Sequence, residues 1–224
     1  MHSVIRIGSR ESALAVRQAE IIRDLILEHE PETEIEIITM KTTGDKILDK
    51  SLEKIGGKGL FVKELDRALM EGRIDLAVPS LKAMPMEEKE ELPILAYGKR
   101  EDPRDALIYR KGLTELPEQA VIGTSSRRRA LQMERLFPGC TFRGIRGNVQ
   151  TRMRKLEEEG YDATLLAAAG LKRLGMEHAA GRYLSVDEMI PAAGQGILAV
   201  KGRRDMDRAW VNAVSYTHLR AHET

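Results

Sequence analysis

The sequence predicts an α/β fold made of two lobes with a cleft between them. Apolar segments that fit strands alternate with amphipathic segments that fit helices, in the order β-α-β-α-β. This order is typical of helices packed on a largely parallel sheet. The alternation begins near the N-terminus and begins again after a proline-containing stretch at residues 100–104, which we interpret as a crossover. Its repetition on both sides of the crossover predicts the two lobes.

The first series begins with a strand at residues 4–8 and a helix at residues 11–29. Within this helix, apolar side chains follow 4-3-4 spacing, which places them on one buried face. These side chains are Ala15, Ala19, Ile22 and Ile26. The remaining elements of the series are a strand at 34–40, a helix at 60–70 and a short buried strand at 74–78.

The second series predicts three further strand–helix pairs. Strands are expected at 120–123, 141–145 and 163–167, and helices at 126–136, 148–159 and 168–174. Glycine and polar residues stand at several of the joints between strand and helix, as they do at residues 8–12 of the first series.

Composition limits the class of protein. Of the 224 residues, 42% are apolar and 32% are charged, a balance that fits a soluble protein with a sizeable core. No run approaches the roughly 18 apolar residues of a membrane span, and residues 1–12 lack the apolar region of a signal peptide. The single cysteine, Cys140, excludes an intramolecular disulfide framework, fits the reducing cytoplasm and is interpreted as an incidental thiol. The five histidines show no metal-ligand spacing, so we expect no metal site. From the lack of a membrane span we expect no membrane partner.

Positive charge is concentrated in one part of the chain. The whole sequence has 36 basic and 35 acidic residues, whereas residues 123–155 carry nine basic residues and one acidic residue, Glu134. The local net charge of +8 attracts anions. The nine basic residues are Arg127, Arg128, Arg129, Arg135, Arg143, Arg146, Arg152, Arg154 and Lys155.

Three joints between a strand and a helix have the composition of anion sites. Residues 8–12, 122–127 and 145–148 each combine a glycine, polar side chains and an arginine at the start of a helix. Free N–H groups and the positive end of the helix dipole bind anions there, and arginine pairs with carboxylate or phosphate through two hydrogen bonds. If the lobes face each other, the three joints converge on the cleft and form a site for a polyanion.

The run Arg127-Arg128-Arg129 has two other interpretations. The simpler is a capped helix with a solvated basic first turn, although positive charge there opposes the helix macrodipole and costs stability. The second is a nucleic-acid groove. Phe137 and Phe142 are the only phenylalanines in the basic block and leave little surface on which bases could stack. We therefore favour a multi-acid ligand and expect no nucleic-acid partner.

A glycine-rich segment occupies residues 42–59. It lacks the GKS or GKT sequence of a P-loop, so it is not predicted to bind nucleotide phosphates. We interpret the segment as a mobile lid over the cleft, and the alternative is a plain structural loop.

Seven short motifs follow one another along residues 4–214. They are GSRESALA at 8–15, GGKGLFVKEL at 56–65, REDPRDA at 100–106, GTSS at 123–126, RGNV at 146–149, AAGLKRLG at 168–175 and PAAGQG at 191–196. Together they resemble the hydroxymethylbilane synthase (porphobilinogen deaminase) family. Seven motifs in order are far more specific than any one of them.

The resemblance implies two lobes of the periplasmic-binding-protein type, residues 1–97 with 191–214 and residues 98–190. We expect the family's small third α+β domain to be missing from this sequence. The resemblance also implies a dipyrromethane cofactor, held through a thioether by a cysteine of that third domain. The cofactor is the primer for four porphobilinogen units, each added with loss of ammonia, before water releases the tetrapyrrole hydroxymethylbilane in porphyrin and heme biosynthesis. Porphobilinogen and other pyrrole polycarboxylates are the implied partners, and the implied enzyme is a cytoplasmic monomer.

The resemblance also assigns site residues. Arg10, Lys82 and the position of Ala83 are implied to be catalytic, and Lys58 and Phe61 match the lid region. The residues implied to hold cofactor or substrate carboxylates are Arg10, Ser12, Ser80, Lys82, Thr124, Ser126, Arg128, Arg129, Arg146, Gly147 and Arg152.

The sequence departs from the family pattern at the implied catalytic position and at its end. The family's usual His-Ser-(Met/Leu)-Lys-Asp reads Pro79-Ser80-Leu81-Lys82-Ala83, so the aspartate thought to stabilise the pyrrole nitrogen and carry protons is missing. Residues 215–224 have no family counterpart, and Cys140 does not match the family's cofactor-cysteine motif. We therefore expect this chain to be inactive. The alternative is a non-catalytic anion-binding module of the periplasmic-binding-protein type.

Overall fold

The computed structural model describes residues 4–42, 62–85, 89–206 and 210–215. The chain divides into two compact units, which comprise Met1–Arg100 with Ile197–Thr224 (unit 1) and Glu101–Gly196 (unit 2). Residues 43–59 of the segment interpreted as a lid, including Lys58, lie outside the described residues, and so does Phe61, which matches the family's lid region. The tail after Ser215 also lies outside them.

The described residues form ten strands and six α-helices. The strands are β1 (Ile5–Arg10), β2 (Ile35–Met40), β3 (Leu76–Ala77), β4 (Ile94–Tyr97), β5 (Asp105–Tyr109), β6 (Val121–Gly123), β7 (Thr141–Arg143), β8 (Ala163–Ala167), β9 (Arg182–Leu184) and β10 (Ala199–Gly202). The helices are α1 (Ala13–His29), α2 (Lys63–Met70), α3 (Arg127–Leu136), α4 (Val149–Glu158), α5 (Ala168–Arg173) and α6 (Val211–Val214), and two 3-10 helices span Leu81–Ala83 and Glu177–Ala179.

Unit 1 contains a five-stranded sheet in the order β2-β1-β3-β10-β4. The strand β1 pairs in parallel with β2 and with β3, as the β-α-β-α-β pattern predicts. The strand β10 follows unit 2 in the chain and pairs antiparallel with β3 and β4, so the sheet is mixed rather than largely parallel.

Unit 2 contains a second five-stranded sheet in the order β7-β6-β8-β5-β9. The strand β6 pairs in parallel with β7 and β8, whereas β5 pairs antiparallel with β8 and β9. Both units are therefore α/β, as predicted, and each sheet combines parallel with antiparallel pairing.

The sequence patterns did not predict the strands β4, β5, β9 and β10. In β5, Asp105–Ile108 are all buried, so this strand lacks the alternation of apolar and polar residues that marks a half-exposed strand. The strand β10 is likewise buried at each of its positions. Continuous burial of this kind leaves no period for a sequence pattern to reveal.

The return segment 191–196 belongs to unit 2, whereas the sequence-based boundaries assigned it to the first lobe. The reason is the fully buried Gln195, whose Nε2 donates to the carbonyl oxygen of Pro103 at 2.6 Å and to Oδ1 of Asp105 at 3.0 Å. The amide of Glu101 also donates to the carbonyl oxygen of Gly196 at 3.1 Å. These bonds join the two ends of unit 2.

The predicted face of α1 packs into the core of unit 1. Ala19, Ile22 and Ile26 are fully buried and share a cluster with Ile7 of β1, while Ala15 is half-buried. Burial of apolar area at roughly 25 cal/mol per Å² is the main force that holds such a helix to its sheet. Among the described helices, none is both long and apolar enough to cross a membrane.

Candidate functional site

One candidate site is a cavity of about 110 Å³ in unit 1. It lies where the carboxyl end of β1 meets the first turn of α1 and the 3-10 helix Leu81–Ala83. Polar groups and apolar side chains share its wall. The lining residues are Gly8, Ser9, Arg10, Ser12, Leu14, Ala15, Gln18, Val62, Leu65, Val78, Pro79, Ser80 and Ala83.

The joint between β1 and α1 is built as the sequence predicts. Ser12 is the N-cap of α1, and its Oγ accepts from the amide of Ala15 at 3.4 Å. The hydroxyl of Ser9 donates to the carbonyl oxygen of Arg10 at 2.9 Å. At Gly8 a Cβ would lie 2.2 Å from Cδ1 of Ile74, so only glycine allows the helix α2 and its following turn to pack this closely.

Ser80 also lines the cavity and is held by a residue that the sequence patterns did not single out. Gln18 is buried on α1, and its Nε2 donates to Oγ of Ser80 at 3.1 Å. Because that oxygen accepts from the amide, the hydroxyl hydrogen of Ser80 stays available for another partner. A polar residue on the buried face of α1, beside Ala15 and Ala19, was the signal that could have identified Gln18.

The side chain of Ala83 lines the same cavity. Its methyl group neither donates nor accepts a proton, so the wall offers no carboxylate at the position that the resemblance marks as catalytic. Lys82 lies beside it in the 3-10 helix and is half-buried. The fold thus places Arg10, Ser12, Ser80 and Ala83 around one cavity.

A second candidate site lies in unit 2, at the joint between β6 and α3. Ser126 is the N-cap of α3, and its Oγ accepts from the amide of Arg129 at 3.4 Å. Oγ1 of Thr124 accepts from the amide of Ser126 at 3.1 Å, and the hydroxyl of Ser125 donates to the carbonyl oxygen of Ile145 at 2.9 Å. Hydroxyl groups therefore fix this joint and connect it to the next one.

Arg128 and Arg129 share one buried carboxylate, that of Asp105 in β5. Nη2 of Arg128 lies 2.7 Å from Oδ2 of Asp105, and Nη2 of Arg129 lies 2.7 Å from its Oδ1. Burial by itself would raise the pKa of Asp105, but the charges and hydrogen bonds of the two guanidinium groups outweigh it and hold this pKa below its ordinary value. Asp105 lies within one of the seven motifs, but nothing in the sequence pattern indicated this role.

The third joint leads into α4 and carries Arg146, Gly147 and Arg152. Gly147 has φ +122°, and a Cβ there would lie 2.4 Å from Cγ2 of Thr151, so the position requires glycine. Asn148 caps α4 by accepting from the amide of Thr151 at 2.8 Å. Nε of Arg152 donates to the carbonyl oxygen of Gly147 at 2.9 Å.

The guanidinium of Arg152 has a strongly shifted pKa. Burial, followed by the positive charges of Arg129 and Arg146, lowers the pKa of Arg152 to about 10. Arg152 is still charged at neutral pH. Three like charges influence one another here, and an anion bound among them would relieve that repulsion.

Other members of the basic block are neutralised by acids or stack on a ring. Arg154 pairs with Glu158 at 2.5 Å, and Lys155 lies 3.6 Å from a carboxylate oxygen of Glu159. The guanidinium of Arg143 stacks 4.0 Å from the ring centroid of Tyr161. The two acid pairs offset part of the local surplus of +8 counted along the sequence.

Metal ligands are not assembled in the part of the chain that the structure describes. Within it, no group of three or more His, Cys, Asp and Glu side chains is placed to hold a metal ion. Cys140 is half-buried, and burial raises the pKa of its thiol.

Comparison with known families identifies the chain. A family model described as "Porphobilinogen deaminase, dipyromethane cofactor binding domain" matches residues 5–210. A porphobilinogen deaminase from Acetivibrio thermocellus is 59% identical over 203 residues, which cover 91% of this chain and 70% of that relative. A porphobilinogen deaminase from Alkaliphilus oremlandii is 50% identical over 208 residues, which cover 93% of this chain and 70% of that relative.

Solved structures with little sequence identity share the fold. The methionine-binding protein MetQ superposes with a TM-score of 0.57 at 13% identity, covering 99% of this chain and 90% of its own. The effector-binding domain of BenM with benzoate gives a TM-score of 0.54 at 14% identity, covering 98% of this chain and 93% of its own. The periplasmic VFT2 domain of BvgS from Bordetella pertussis gives a TM-score of 0.53 at 12% identity, covering 94% of this chain and 85% of its own. These likenesses confirm the predicted periplasmic-binding-protein-like α/β fold, and the match of the family model together with relatives at 50% identity or more shows that this chain belongs to the porphobilinogen deaminase family.

Proposed function

We propose that this chain has the binding function of a hydroxymethylbilane synthase, in which arginines and helix N-termini hold the carboxylates of dipyrromethane and porphobilinogen. The observation that carries this proposal is the environment of Arg152. Its Nε donates to the carbonyl oxygen of Gly147 at 2.9 Å at the start of α4, and burial together with the charges of Arg129 and Arg146 lowers its pKa to about 10, so a nearby anion would stabilise its charged form. A carboxylate supplies such an anion.

The donors present in the chain fit a dipyrromethane bearing acetate and propionate side chains. In unit 2 we assign its carboxylates to Arg146, Arg152 and the first turns of α3 and α4, which are capped by Ser126 and Asn148. When bound, the dipyrromethane supplies the pyrrole carbon at which the product chain is extended. Gly147 contributes by letting the backbone approach a ligand without a Cβ.

In unit 1, we assign to Arg10 and Ser12 the binding of a pyrrole carboxylate at the start of α1. Ser80, whose oxygen accepts from Gln18, is oriented to donate its hydroxyl hydrogen to a ligand. Lys82 is proposed to add positive charge beside this cavity. We propose that these residues bind and orient the pyrrole ligand. None of them replaces the missing carboxylate as a carrier of protons.

For the same reason we propose that turnover by this chain is very slow. A positioned general acid–base typically contributes about 10²–10⁴-fold to a rate, and the methyl group of Ala83 cannot provide it. Cys140 is also a poor candidate for a covalent anchor, because burial raises its pKa and so disfavours the reactive thiolate. The alternative function, a non-catalytic anion-binding module, is favoured specifically by Ala83.

Calorimetric titration with a soluble dipyrromethane tetracarboxylate tests the binding proposal. Arg152→Ala should weaken binding by roughly 10–150-fold, the equivalent of one charge-assisted hydrogen bond of about 1.5–3 kcal/mol. Arg135→Ala is the matched control, because Arg135 is exposed in the last turn of α3 and its substitution removes the same charge. Equal affinities of the two variants would contradict the assignment.

Assays of ammonia release separate the enzyme from the alternative. If the chain binds dipyrromethane and porphobilinogen but releases no ammonia, the non-catalytic module is the better description. The single cysteine suits a reducing compartment, so we propose that the protein acts in the cytoplasm. The family resemblance supports the further proposal that it is a monomer. Sedimentation velocity of the purified chain checks its proposed monomeric state.

A further inference from the structure

The carboxylate of Asp105 is fully buried at the start of β5, yet it contacts the helix that we assign to ligand binding. It accepts from both Arg128 and Arg129 in the first turn of α3. We infer that Asp105 is a positioning residue, which fixes these two arginines so that the first turn of α3 is ordered before a pyrrole carboxylate arrives. This inference rests on the proposed binding function.

The guanidinium of Arg128 is fixed at two of its nitrogens. Nη2 donates to Oδ2 of Asp105 at 2.7 Å, and Nη1 donates to the carbonyl oxygen of Ile190 at 2.6 Å. A planar group held at two nitrogens has one orientation. The Arg128 side chain nevertheless keeps 25% of its surface exposed, so it remains accessible to a ligand from solvent.

The guanidinium of Arg129 is fixed more completely. Nε and Nη2 both donate to Oδ1 of Asp105, at 3.1 and 2.7 Å, and Nη1 donates to the carbonyl oxygen of Leu165 at 2.9 Å. Its side chain is 8% exposed. Arg129 therefore acts on a ligand mainly through its charge, in the same way as it lowers the pKa of Arg152.

The carboxylate of Asp105 is in turn immobilised by the return segment. Nε2 of Gln195 donates to Oδ1 of Asp105 at 3.0 Å, so this oxygen accepts from Gln195 as well as from Arg129. The pKa of Asp105 lies below its ordinary value, which keeps the group ionised at neutral pH. The Asp105 carboxylate thus accepts from three side chains, those of Arg128, Arg129 and Gln195, and holds each of them in place.

The consequence for binding is entropic as well as electrostatic. A long side chain that is ordered in advance loses little freedom when a ligand binds, whereas a mobile one must be immobilised at that moment. In Asp105→Asn one side-chain oxygen still accepts, but the amide NH2 replaces the other oxygen and faces the N–H donors of one arginine. That arginine loses its acceptor, and both arginines lose the negative charge that holds them. We expect this loss to exceed the gain from removing one negative charge.

Titration of the full chain with a soluble dipyrromethane tetracarboxylate tests the inference. Asp105→Asn should weaken binding about tenfold, whereas Asp105→Glu, which restores the charge, should keep the affinity within about threefold even if its larger side chain lowers the melting temperature. The matched control is Asp75→Asn in unit 1, because Asp75 also pairs with two arginines, Arg6 and Arg203. It should lower stability and leave the dissociation constant unchanged within about twofold.

A measurement on the unsubstituted protein covers the case in which Asp105→Asn does not fold. In ¹⁵N spectra without ligand, the Nε–H of Arg129 should give a resolved signal that is protected from exchange with water. Absence of that protection, or full affinity in folded Asp105→Asn, would overturn the inference. If the unsubstituted chain fails to bind the dipyrromethane while the Nε–H is protected, the proposed function fails instead and the ordering of Arg129 by Asp105 stands.

Discussion

Arg152 donates from Nε to the carbonyl oxygen of Gly147 at 2.9 Å, across the start of α4. The bond ties a cationic side chain to the glycine of the strand-to-helix joint that precedes it. Because Asn148 caps the same helix, the joint, the helix and the guanidinium form one small structural unit. Its integrity depends on the backbone conformation of Gly147.

Gly147→Ala should lower the free energy of unfolding by about 2 kcal/mol or more. The residue would be strained at φ +122°, and its Cβ would collide with Thr151, 2.4 Å away. Gly160→Ala is the matched control, since Gly160 has φ +69° and a Cβ there would meet no atom within 4 Å. It should cost about 1 kcal/mol, because only the backbone conformation opposes it. Urea unfolding measures both, and equal losses would show that the contact with Thr151 is unimportant.

The stability of the chain should depend on the ionisation of Asp105 in acid. Arg129 and Arg128 hold the pKa of this buried carboxyl below its unfolded value. The stabilisation is therefore complete above the unfolded pKa of about 3.9 and is lost as pH falls below it, toward the folded pKa. Urea unfolding between neutral pH and acid should show a weaker pH dependence in Asp105→Asn than in the unsubstituted protein. Identical slopes in the two proteins would mean that Asp105 has no lowered pKa.

Ala83→Asp should restore a proton carrier to the wall of the unit 1 cavity. With soluble dipyrromethane as acceptor, ammonia release from porphobilinogen should rise by about 10²–10⁴-fold over that of Ala83→Asn. The asparagine variant has the same shape without the ionisable group, so it controls for filling the cavity. Should the two variants release ammonia at the same rate, position 83 does not act in proton transfer.

Local signals in the sequence were enough to locate much of the fold and part of the site. The 4-3-4 spacing in α1 depends on residues close in sequence, and its predicted apolar face packs into the core. The glycine and polar residues at the starts of α1 and α3 are also local signals, although the exact N-caps, Ser12 and Ser126, were not predicted. Gly147 and Arg152 belong to the same local joint. The seven ordered motifs were enough to identify the family.

The features that sequence reasoning missed depend on residues far apart in the chain. Asp105 meets Arg129 across 24 positions, and Gln18 meets Ser80 across 62. Neither pairing has a periodicity or a local motif. The mixed pairing of both sheets was missed for a second reason. The strands β5 and β10 are buried almost throughout, so their sequences show no alternation of apolar and polar residues.

The central claim is that this chain recognises pyrroles through their carboxylates, and one titration tests it most directly. The unsubstituted protein is titrated in a calorimeter with a dipyrromethane tetracarboxylate and, separately, with its tetramethyl ester. Our account predicts that the acid binds at least about 100-fold more tightly than the ester, equivalent to two charge-assisted contacts, and that added salt weakens its binding. Equal affinity for acid and ester would contradict it.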